Sequence, residues 1–108
     1  MISASNIYLV GPMGVGKTTV GRSLSKSLGM DFVDSDQEIE ERTGVSISTI
    51  FDIEGEAGFR EREAKEIFEL VKRKNIVLAT GGGAVTREDV RKAMRHNGLV
   101  IYLHATLE

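Results

Sequence analysis

The 108-residue sequence has no cysteine and no tryptophan, and its only proline is Pro12. Without cysteine, a disulfide framework, a thiolate metal site and a cysteine nucleophile are all excluded. Long hydrophobic runs are also lacking: the longest, from Leu99 to Leu103, has five residues, whereas a membrane-spanning helix needs about 20. An export signal begins with positively charged residues followed by an apolar stretch, and residues 1–6 contain no charged side chain. We therefore expect a cytoplasmic protein with no membrane partner.

The sequence has no excess of positive charge. It contains 14 Lys and Arg residues and 16 Asp and Glu residues, and the formal net charge of −2 excludes a generally basic nucleic-acid binder. Hydrophobic residues make up 41% and charged residues 28%, as in ordinary globular proteins. The length suits one domain, which we expect to span residues 1–108 and to be a monomer.

Short apolar segments alternate with stretches of helical period. Four segments are β-branched or aromatic and have the continuous hydrophobicity of strands covered on both faces: Ile7–Val10, Phe32–Val33, Ile76–Ala79 and Leu99–Leu103. Strands separated by helices imply right-handed crossovers and a mainly parallel sheet between two layers of helices. The fold class expected is therefore a three-layer α/β fold.

Apolar periodicity and capping residues predict where the helices begin and end. We expect five helices: one whose apolar face is Val20, Leu24 and Leu28 and which ends at Gly29, one over 37–42, one over 48–53, one over 56–74, and one from Thr86 to Asn97. The last would begin with a capping box of Thr86 and Asp89. The longest would be stabilised by i,i+4 charge pairs: Glu56 with Arg60, Glu61 with Lys65, Arg62 with Glu66, and Glu69 with Arg73.

A glycine-rich loop follows the first strand. Residues 11–18 match G-x-x-x-x-G-K-[ST], the P-loop motif, between a strand and a helix as that motif requires. Glycines let backbone N–H groups converge on phosphate oxygens, Lys adds a point charge, and a Thr hydroxyl can bind Mg²⁺. The candidate nucleotide-binding residues are Gly14, Val15, Gly16, Lys17, Thr18 and Thr19. An incidental glycine-rich turn is the weaker alternative, and a dinucleotide-binding fold is excluded because G-x-G-x-x-G does not occur.

Two carboxylates, Asp34 and Asp36, follow the second strand. At the carboxyl edge of a parallel sheet they would lie beside the phosphate loop, where one could bind metal and the other could orient an acceptor hydroxyl and take its proton. Helix capping explains them equally well, because Ser35 with Glu38 forms a capping box. The third strand ends at Thr80 and lacks the Asp that often binds Mg²⁺ there, so Asp34 is the candidate metal ligand together with Thr18.

Three glycines, Gly81 to Gly83, follow Thr80 directly. Consecutive glycines are costly to order, so the close approach of a ligand to bare backbone is one explanation and a flexible turn is another. Arg60 with Glu63 one turn later could bind an anionic substrate. By spacing alone, an ordinary surface pair of Arg60 with Glu56 is the better explanation. Phe51 and Phe59 are core residues by default.

In order and spacing, the segments GPMGVGKT, DSD, IFDIEGEAGFRERE and ATGGGAV resemble the shikimate kinase family over all 108 residues. These kinases transfer the γ-phosphate of ATP to the 3-hydroxyl of shikimate. The resemblance implies a P-loop NTPase-type fold and a role in the shikimate pathway. It implies that Lys17 and Thr18 bind phosphate and Mg²⁺ and that Asp34 reaches the metal through water. It also implies that Asp36 binds shikimate hydroxyls and serves as base or orienter for the attacking one, so that Lys17 and Asp36 are the catalytic residues.

The acceptor site follows from the same resemblance. Arg60 would bind the shikimate carboxylate, with Glu63 holding Arg60 in place. The backbone of Gly81, Gly82 and Gly83 would face the substrate, and Phe51 and Phe59 would form the pocket wall. For Arg60, the resemblance makes the functional role the better interpretation.

Family members continue into a mobile lid with an arginine at the transferred phosphate, a second arginine on the shikimate carboxylate, a fifth strand and an adenine-binding loop. The sequence here ends just after the fourth expected strand, so we expect these 108 residues to bind ligands but to turn over scarcely. Two alternatives remain open: another small-metabolite kinase such as a gluconate kinase, and a non-catalytic phosphate-binding module.

Overall fold

A computed structural model of the chain describes residues 6–12 and 14–104. Residues 1–5, on which the export-signal expectation depends, Met13 of the glycine-rich loop and residues 105–108 lie outside this description. None of the described helices combines the length and the apolar character needed to cross a membrane.

Four parallel strands form one sheet. They are β1 Asn6–Val10, β2 Asp31–Asp34, β3 Ile76–Ala79 and β4 Gly98–Tyr102, in the spatial order β2-β3-β1-β4. Ala79 of β3 is in register with Leu9 of β1 and with Asp34 of β2. Because all the pairings are parallel, the carboxyl ends of the strands lie along one edge of the sheet. The expected parallel α/β architecture is confirmed.

Helices and one short 3₁₀ turn connect the strands. They are α1 Lys17–Leu28, α2 Ser35–Thr43, α3 Ile47–Leu70, the 3₁₀ turn Ala84–Thr86, and α4 Glu88–Asn97. Gly29 and Gly44 end α1 and α2 in the left-handed conformation, as expected. The helices expected over 48–53 and 56–74 form one element with a kink at Gly55, where φ is 72°, and this element ends at Leu70, earlier than expected.

The two faces of the sheet are covered by different helices. On one face α1 packs closely, since a Cβ at Gly21 would meet the side chains of Phe32 and Leu9. On the other face, Tyr8 and Val10 of β1 join a core cluster with residues of α3 and α4, which include Ile67, Leu70, Val90 and Met94. The expected three layers are therefore present.

Two expectations about burial are wrong. In α1 the buried residues are Gly21 and Ser25, whereas Leu28 of the expected apolar face is 54% exposed. In β4 the side chains are not covered on both faces, because Leu99 is 54% and Tyr102 is 50% exposed. The exposure of β4 follows from its position, because β4 is the edge strand beyond β1 whereas α1 lies mainly over β2 and β3.

The expected helix caps also differ. Asp34, not Ser35, caps α2, because its Oδ1 accepts hydrogen bonds from the backbone N–H groups of Asp36 (2.9 Å) and Gln37 (3.2 Å). Thr86 does not cap α4; it lies in the 3₁₀ turn, and its hydroxyl donates to the Gly83 carbonyl at 2.7 Å. Neither hydroxyl is used as a cap: that of Ser35 accepts a hydrogen bond from Gly81 N–H, and that of Thr86 donates to the Gly83 carbonyl.

One of the four charge pairs expected along α3 forms, between Glu56 and Arg60 at 3.4 Å. The other long side chains reach partners outside the expected spacing because those partners are closer in the folded chain: Arg62 binds Glu54, Glu66 binds Arg42, Arg73 binds Glu38, and Glu61 binds Arg87. Two of these pairs, those of Arg42 and of Glu38, join α2 to the α3 segment.

A second, smaller core cluster lies between α2 and the first half of α3. It consists of Ile39, Ile50 and Phe59, with Ile47 packed against it. Asp36 and Arg60 lie on the same two helices, so the candidate acceptor residues are supported by this small cluster.

Candidate active site

The phosphate loop joins β1 to α1 at the carboxyl edge of the sheet. Gly14 (φ 79°) and Gly16 (φ 93°) adopt the left-handed backbone conformation that side-chain-bearing residues rarely adopt, with Val15 between them. The Gly16 carbonyl accepts the first helical hydrogen bond from Val20 N–H at 2.9 Å. The loop therefore turns directly into the N-terminus of α1, whose free N–H groups and dipole attract anions.

Lys17 is the first residue of α1, and its ammonium group is folded back onto the loop. Its Nζ donates hydrogen bonds to the carbonyl oxygens of Gly11 and of Pro12, the latter at 2.8 Å. Burial lowers the pKa of Lys17, while the carboxylates of Asp36, Asp34 and Glu63 act in the opposite direction. A phosphate group could replace the two carbonyls as partner and would offer full negative charge in their place.

Thr18 and Asp34 contribute two oxygens to the same place. The Thr18 hydroxyl donates to Asp34 Oδ2 at 3.3 Å, while Asp34 Oδ1 is held by its cap of α2. A hydroxyl and a carboxylate oxygen suit Mg²⁺, which binds few protein groups and retains water and phosphate ligands. Among the residues described, no cluster of three or more His, Cys, Asp or Glu could form a larger metal cage.

Asp36 lies on the first turn of α2 and points toward Lys17 and Arg60. Burial raises the pKa of its carboxyl group, as do the neighbouring carboxylates Asp34 and Glu40, and the charges of Lys17 and Arg60 oppose that rise. Its Oδ1 is buried and has no hydrogen-bond partner. A carboxylate with a raised pKa and a free oxygen is suited to accept a proton from a hydroxyl group.

Arg60 is held between two glutamates and two aromatic rings. Its Nη1 donates to Glu63 Oε1 at 3.2 Å, and its Nη2 donates to Glu56 Oε2 at 3.4 Å. The guanidinium lies 5.4 Å from the centroid of the Phe59 ring and 6.0 Å from that of Phe51. The side chain of Glu63 is 3% exposed, so Arg60 is anchored to a buried carboxylate and is not an ordinary surface residue.

The expectation that both phenylalanines are core residues is half right. Phe59 is buried at 3% exposure, whereas Phe51 is 36% exposed and stacks on Phe59 at 4.8 Å between ring centroids. Phe51 therefore presents an aromatic surface beside Arg60.

Two glycines of the run after β3 have no space for a side chain. A Cβ at Gly81 would collide with Glu63 Oε2 and with Asp36 Oδ1, and one at Gly83 would collide with the Arg60 guanidinium. The glycine run is thus required by the packing of the carboxylates and the guanidinium as well as by any ligand.

A cavity of about 280 Å³ joins the phosphate loop to Asp36. Its lining residues come from three segments: Gly14, Gly16, Lys17, Thr18 and Thr19; Asp34 and Asp36; and Ala79, Thr80, Gly81 and Gly82. The other candidates, Val15, Phe51, Phe59, Arg60 and Gly83, do not line it. Arg60 is nevertheless adjacent, because it packs against Gly83 at the end of the same glycine run.

Two polar residues have roles that the sequence did not indicate. The buried Ser35 hydroxyl accepts a hydrogen bond from Gly81 N–H at 3.1 Å and so connects α2 to the glycine run 46 residues away. Thr80, at the position where a metal-binding Asp is often found, donates its hydroxyl to the Leu9 carbonyl at 2.9 Å. A long-range side-chain bond has no local sequence signal, so neither could have been found from spacing.

Comparison with protein families gives a match to the shikimate kinase model over residues 13–108. A curated shikimate kinase from Buchnera aphidicola subsp. Schizaphis graminum is 57% identical over all 108 residues of this chain, which span 62% of the length of that relative. A structure of shikimate kinase from Acinetobacter baumannii in complex with shikimate superposes with a TM-score of 0.93 at 55% identity, covering 96% of this chain and 58% of that one.

A gluconokinase from Sinorhizobium meliloti 1021 superposes with a TM-score of 0.61 at 19% identity, covering 95% of this chain and 59% of that one. At that level of identity the likeness shows a shared fold and nothing about the acceptor.

Proposed function

The chain belongs to the shikimate kinase family, and on that premise we propose that it serves the transfer of the γ-phosphate of ATP to the 3-hydroxyl of shikimate. The observation on which this depends is the cavity in which the phosphate loop and the free carboxylate of Asp36 face one another. Phosphoryl transfer needs little more from a protein than such positioning and neutralisation of charge.

On the donor side, the loop N–H groups and the N-terminus of α1 bind the phosphates of ATP. Lys17 exchanges its bonds to Gly11 and Pro12 for bonds to the β- and γ-phosphates. Burial lowers the pKa of Lys17, and the nearby carboxylates of Asp36, Asp34 and Glu63 offset part of that effect.

Thr18 Oγ1 and Asp34 Oδ2 are the oxygens that would hold Mg²⁺, Asp34 through water, and their mutual hydrogen bond places both at the mouth of the loop. When bound, Mg²⁺ neutralises negative charge on the phosphates. Asp34 is fixed for this role because its other oxygen caps α2.

On the acceptor side, Asp36 orients the attacking hydroxyl and takes its proton. Its raised pKa brings it closer to the range in which a general base works well. Arg60, fixed by Glu63, binds the carboxylate of shikimate, with the exposed face of Phe51 beside it. Gly81 to Gly83 leave their backbone free to approach the substrate.

A gluconate kinase is the second candidate, because a different hydroxy acid would also place its carboxylate at Arg60. A non-catalytic phosphate-binding module is the third. The two relatives described above at more than 50% identity are shikimate kinases, whereas the gluconokinase likeness extends only to the fold. Shikimate is therefore the acceptor that we favour.

The test is a ligand panel on the purified chain. Titration calorimetry should show binding of ADP–Mg²⁺ and of shikimate, and no binding of gluconate. Incubation with ATP, Mg²⁺ and shikimate should give a product one phosphate heavier by mass spectrometry, read after long incubation so that slow transfer is also counted. Binding of gluconate in preference to shikimate would overturn the proposed acceptor, and binding of ADP alone with no product would favour the non-catalytic module.

The proposal extends to location and assembly. We propose a cytoplasmic location, in keeping with ATP as co-substrate, and a monomeric state. Light scattering on the protein with and without ligands checks the monomer, for which we expect the mass of one chain in both cases.

A further inference from the structure

The helix that carries Asp36 has few apolar contacts. Of the nine residues of α2, Ser35 and Ile39 are buried, and the small core cluster that Ile39 joins has two other buried members, both on α3. At its first residue α2 is fixed by the hydrogen bond from Gly81 N–H to the Ser35 hydroxyl at 3.1 Å. A helix fixed at one point can still tilt about that point, and hydrophobic contact is non-directional. The orientation of α2 therefore needs a second attachment.

Arg42, near the other end of α2, supplies this attachment. Its Nε and Nη2 donate hydrogen bonds to the two carboxylate oxygens of Glu66 on α3, at 2.8 Å and 3.0 Å. The side chain of Glu66 is 4% exposed, and the next residue, Ile67, is fully buried in the main core. Arg42 lies six residues after Asp36, a separation of about 9 Å along a helix. A shift at Arg42 would therefore tilt α2 and change the direction in which the Asp36 side chain points.

A second ion pair joins α2 to the α3 segment, but it is more exposed. Glu38 Oε1 accepts one hydrogen bond from Arg73 Nη2 at 3.1 Å, and 24% and 48% of the two side chains are exposed. Exposed pairs of this kind contribute little. Two parallel hydrogen bonds between a guanidinium and a carboxylate, by contrast, fix a direction as well as a distance. The pair of Arg42 with Glu66 is therefore the one suited to set an angle.

We propose that the ion pair of Arg42 with Glu66 sets the orientation of α2 against α3 and thereby directs the Asp36 carboxylate toward the acceptor hydroxyl. The inference rests on the proposed function for its effect on the acceptor. Neither Arg42 nor Glu66 lines the active-site cavity. Both are therefore positioning residues, which act through α2 and touch no ligand.

The experiment separates orientation from stability with the double variant Arg42→Met/Glu66→Met. Two methionines keep most of the side-chain length and leave no buried charge unpaired, so the Tm should stay within about 3 °C of that of the parent. Residual dipolar couplings of the backbone N–H groups, measured by NMR without ligand, report the direction of α2 relative to the sheet. We expect the couplings of α2 to depart from the parent orientation and those of the four strands to be unchanged.

Titration calorimetry on the same proteins measures the consequence for each ligand. In the double variant the Kd for shikimate should rise about 10-fold, as for the loss of one charge-assisted hydrogen bond. The Kd for ADP–Mg²⁺ should stay within about twofold, because the phosphate loop is attached to β1 and α1. The control is Glu69→Gln, which neutralises an exposed glutamate on α3 that pairs with Lys72 at 3.1 Å. Neither the couplings nor either Kd should change in this control.

An α2 orientation or a shikimate affinity equal to that of the parent would overturn the inference, because the pair would then contribute to stability alone. If the double variant does not fold, Arg42→Lys is measured in the same way. It keeps the charge but loses the two-pronged geometry, so the same changes in couplings and in shikimate affinity are expected. If the parent binds no shikimate, the proposed function fails, and the orientation of α2 in the variants decides the inference by itself.

Discussion

The two halves of the active site are built on different physical principles. The proposed phosphate half, Gly11, Pro12 and residues 14–19, lies on a single loop and the helix that follows it, and it would bind through backbone conformation, with positive φ at Gly14 and Gly16 and a helix N-terminus behind them. The acceptor half consists of single side chains from distant segments, Asp36, Arg60 and Glu63, that meet around a glycine run. In the proposed function, backbone conformation would therefore bind the nucleotide, and buried charged side chains would bind the acceptor.

The difference extends to stability. The phosphate loop follows β1, whose Tyr8, Leu9 and Val10 are almost fully buried in the main core. The acceptor residues lie on α2 and α3 over a cluster of only three buried side chains, and two of their carboxylate oxygens are unsatisfied. We therefore expect substitutions in one half to affect one ligand and leave the other unchanged, and the following predictions test that separation.

The largest expected effect is that of Lys17→Ala on nucleotide binding. Truncating one partner of a partly buried charge pair costs about 2–5 kcal/mol, so the Kd for ADP should rise at least roughly 30-fold. The Kd for shikimate should stay within about twofold. Titration calorimetry measures both, with Lys26→Ala, an exposed lysine at the end of the same helix, as the control. Unchanged ADP affinity would contradict the assignment of the phosphate loop.

Arg60→Lys should weaken shikimate binding nearly as much as Arg60→Ala, because the planar two-pronged fit is lost in both. A charge-assisted hydrogen bond contributes about 1.5–3 kcal/mol, which corresponds to roughly a 10- to 150-fold rise in Kd. ADP binding should be unchanged. Arg62→Lys is the control, since Arg62 pairs with Glu54 at the surface. If both Arg60 variants bind shikimate like the parent, the acceptor half is wrongly assigned.

Much of the fold and the phosphate half could be predicted from the sequence because their signals are local. The β-branched, apolar composition of Ile76–Ala79 predicted β3 with its observed bounds. The P-loop motif could be recognised because its residues are adjacent in the chain. The errors have a common cause: the expected charge pairs on α3 and the capping box at Ser35 were local choices, and the folded chain supplied closer partners such as Glu54 for Arg62.

The acceptor half could not be derived from spacing. Arg60 looked like a surface residue because its buried partner Glu63 is apparent only once α3 packs beside α2 and the glycine run. Spacing raised Arg60 with Glu63 as a candidate pair but favoured a surface pair of Arg60 with Glu56, and the family resemblance reversed that preference. Neither revealed that Gly81 is needed to leave space for two carboxylates. Side chains that meet across 20 to 45 positions leave no periodic pattern.

A smaller effect is expected for Gly81→Ala, which would place a Cβ where Glu63 Oε2 and Asp36 Oδ1 lie. Overpacking of this kind costs about 1–3 kcal/mol, which should appear as a lower Tm and as a rise of roughly 10-fold in the Kd for shikimate. Gly83→Ala is the companion variant, since the three atoms nearest to its Cβ all belong to the Arg60 guanidinium. Both should bind ADP normally, and loss of ADP binding in either would show that the two halves are not separable.

The smallest effect is a gain in stability from Asp36→Asn at neutral pH. Burial raises the pKa of Asp36 above its ordinary 3.8, so folding disfavours the ionised form, and the resulting penalty grows as pH rises through the raised pKa. Removing the charge should stabilise the protein by about 1 kcal/mol, or roughly 4 °C in Tm, at pH 7. The gain should decrease as pH falls and should vanish below pH 3.8, where the parent carboxyl group is protonated in both the folded and the unfolded state. Asp52→Asn, an exposed residue of α3, should show no such gain. The measurement is the Tm of the parent and of the two variants over a series of pH values. A loss of stability in Asp36→Asn at neutral pH would show that the buried carboxylate has a hydrogen-bond partner in solution. The acceptor half would then not be held under electrostatic strain.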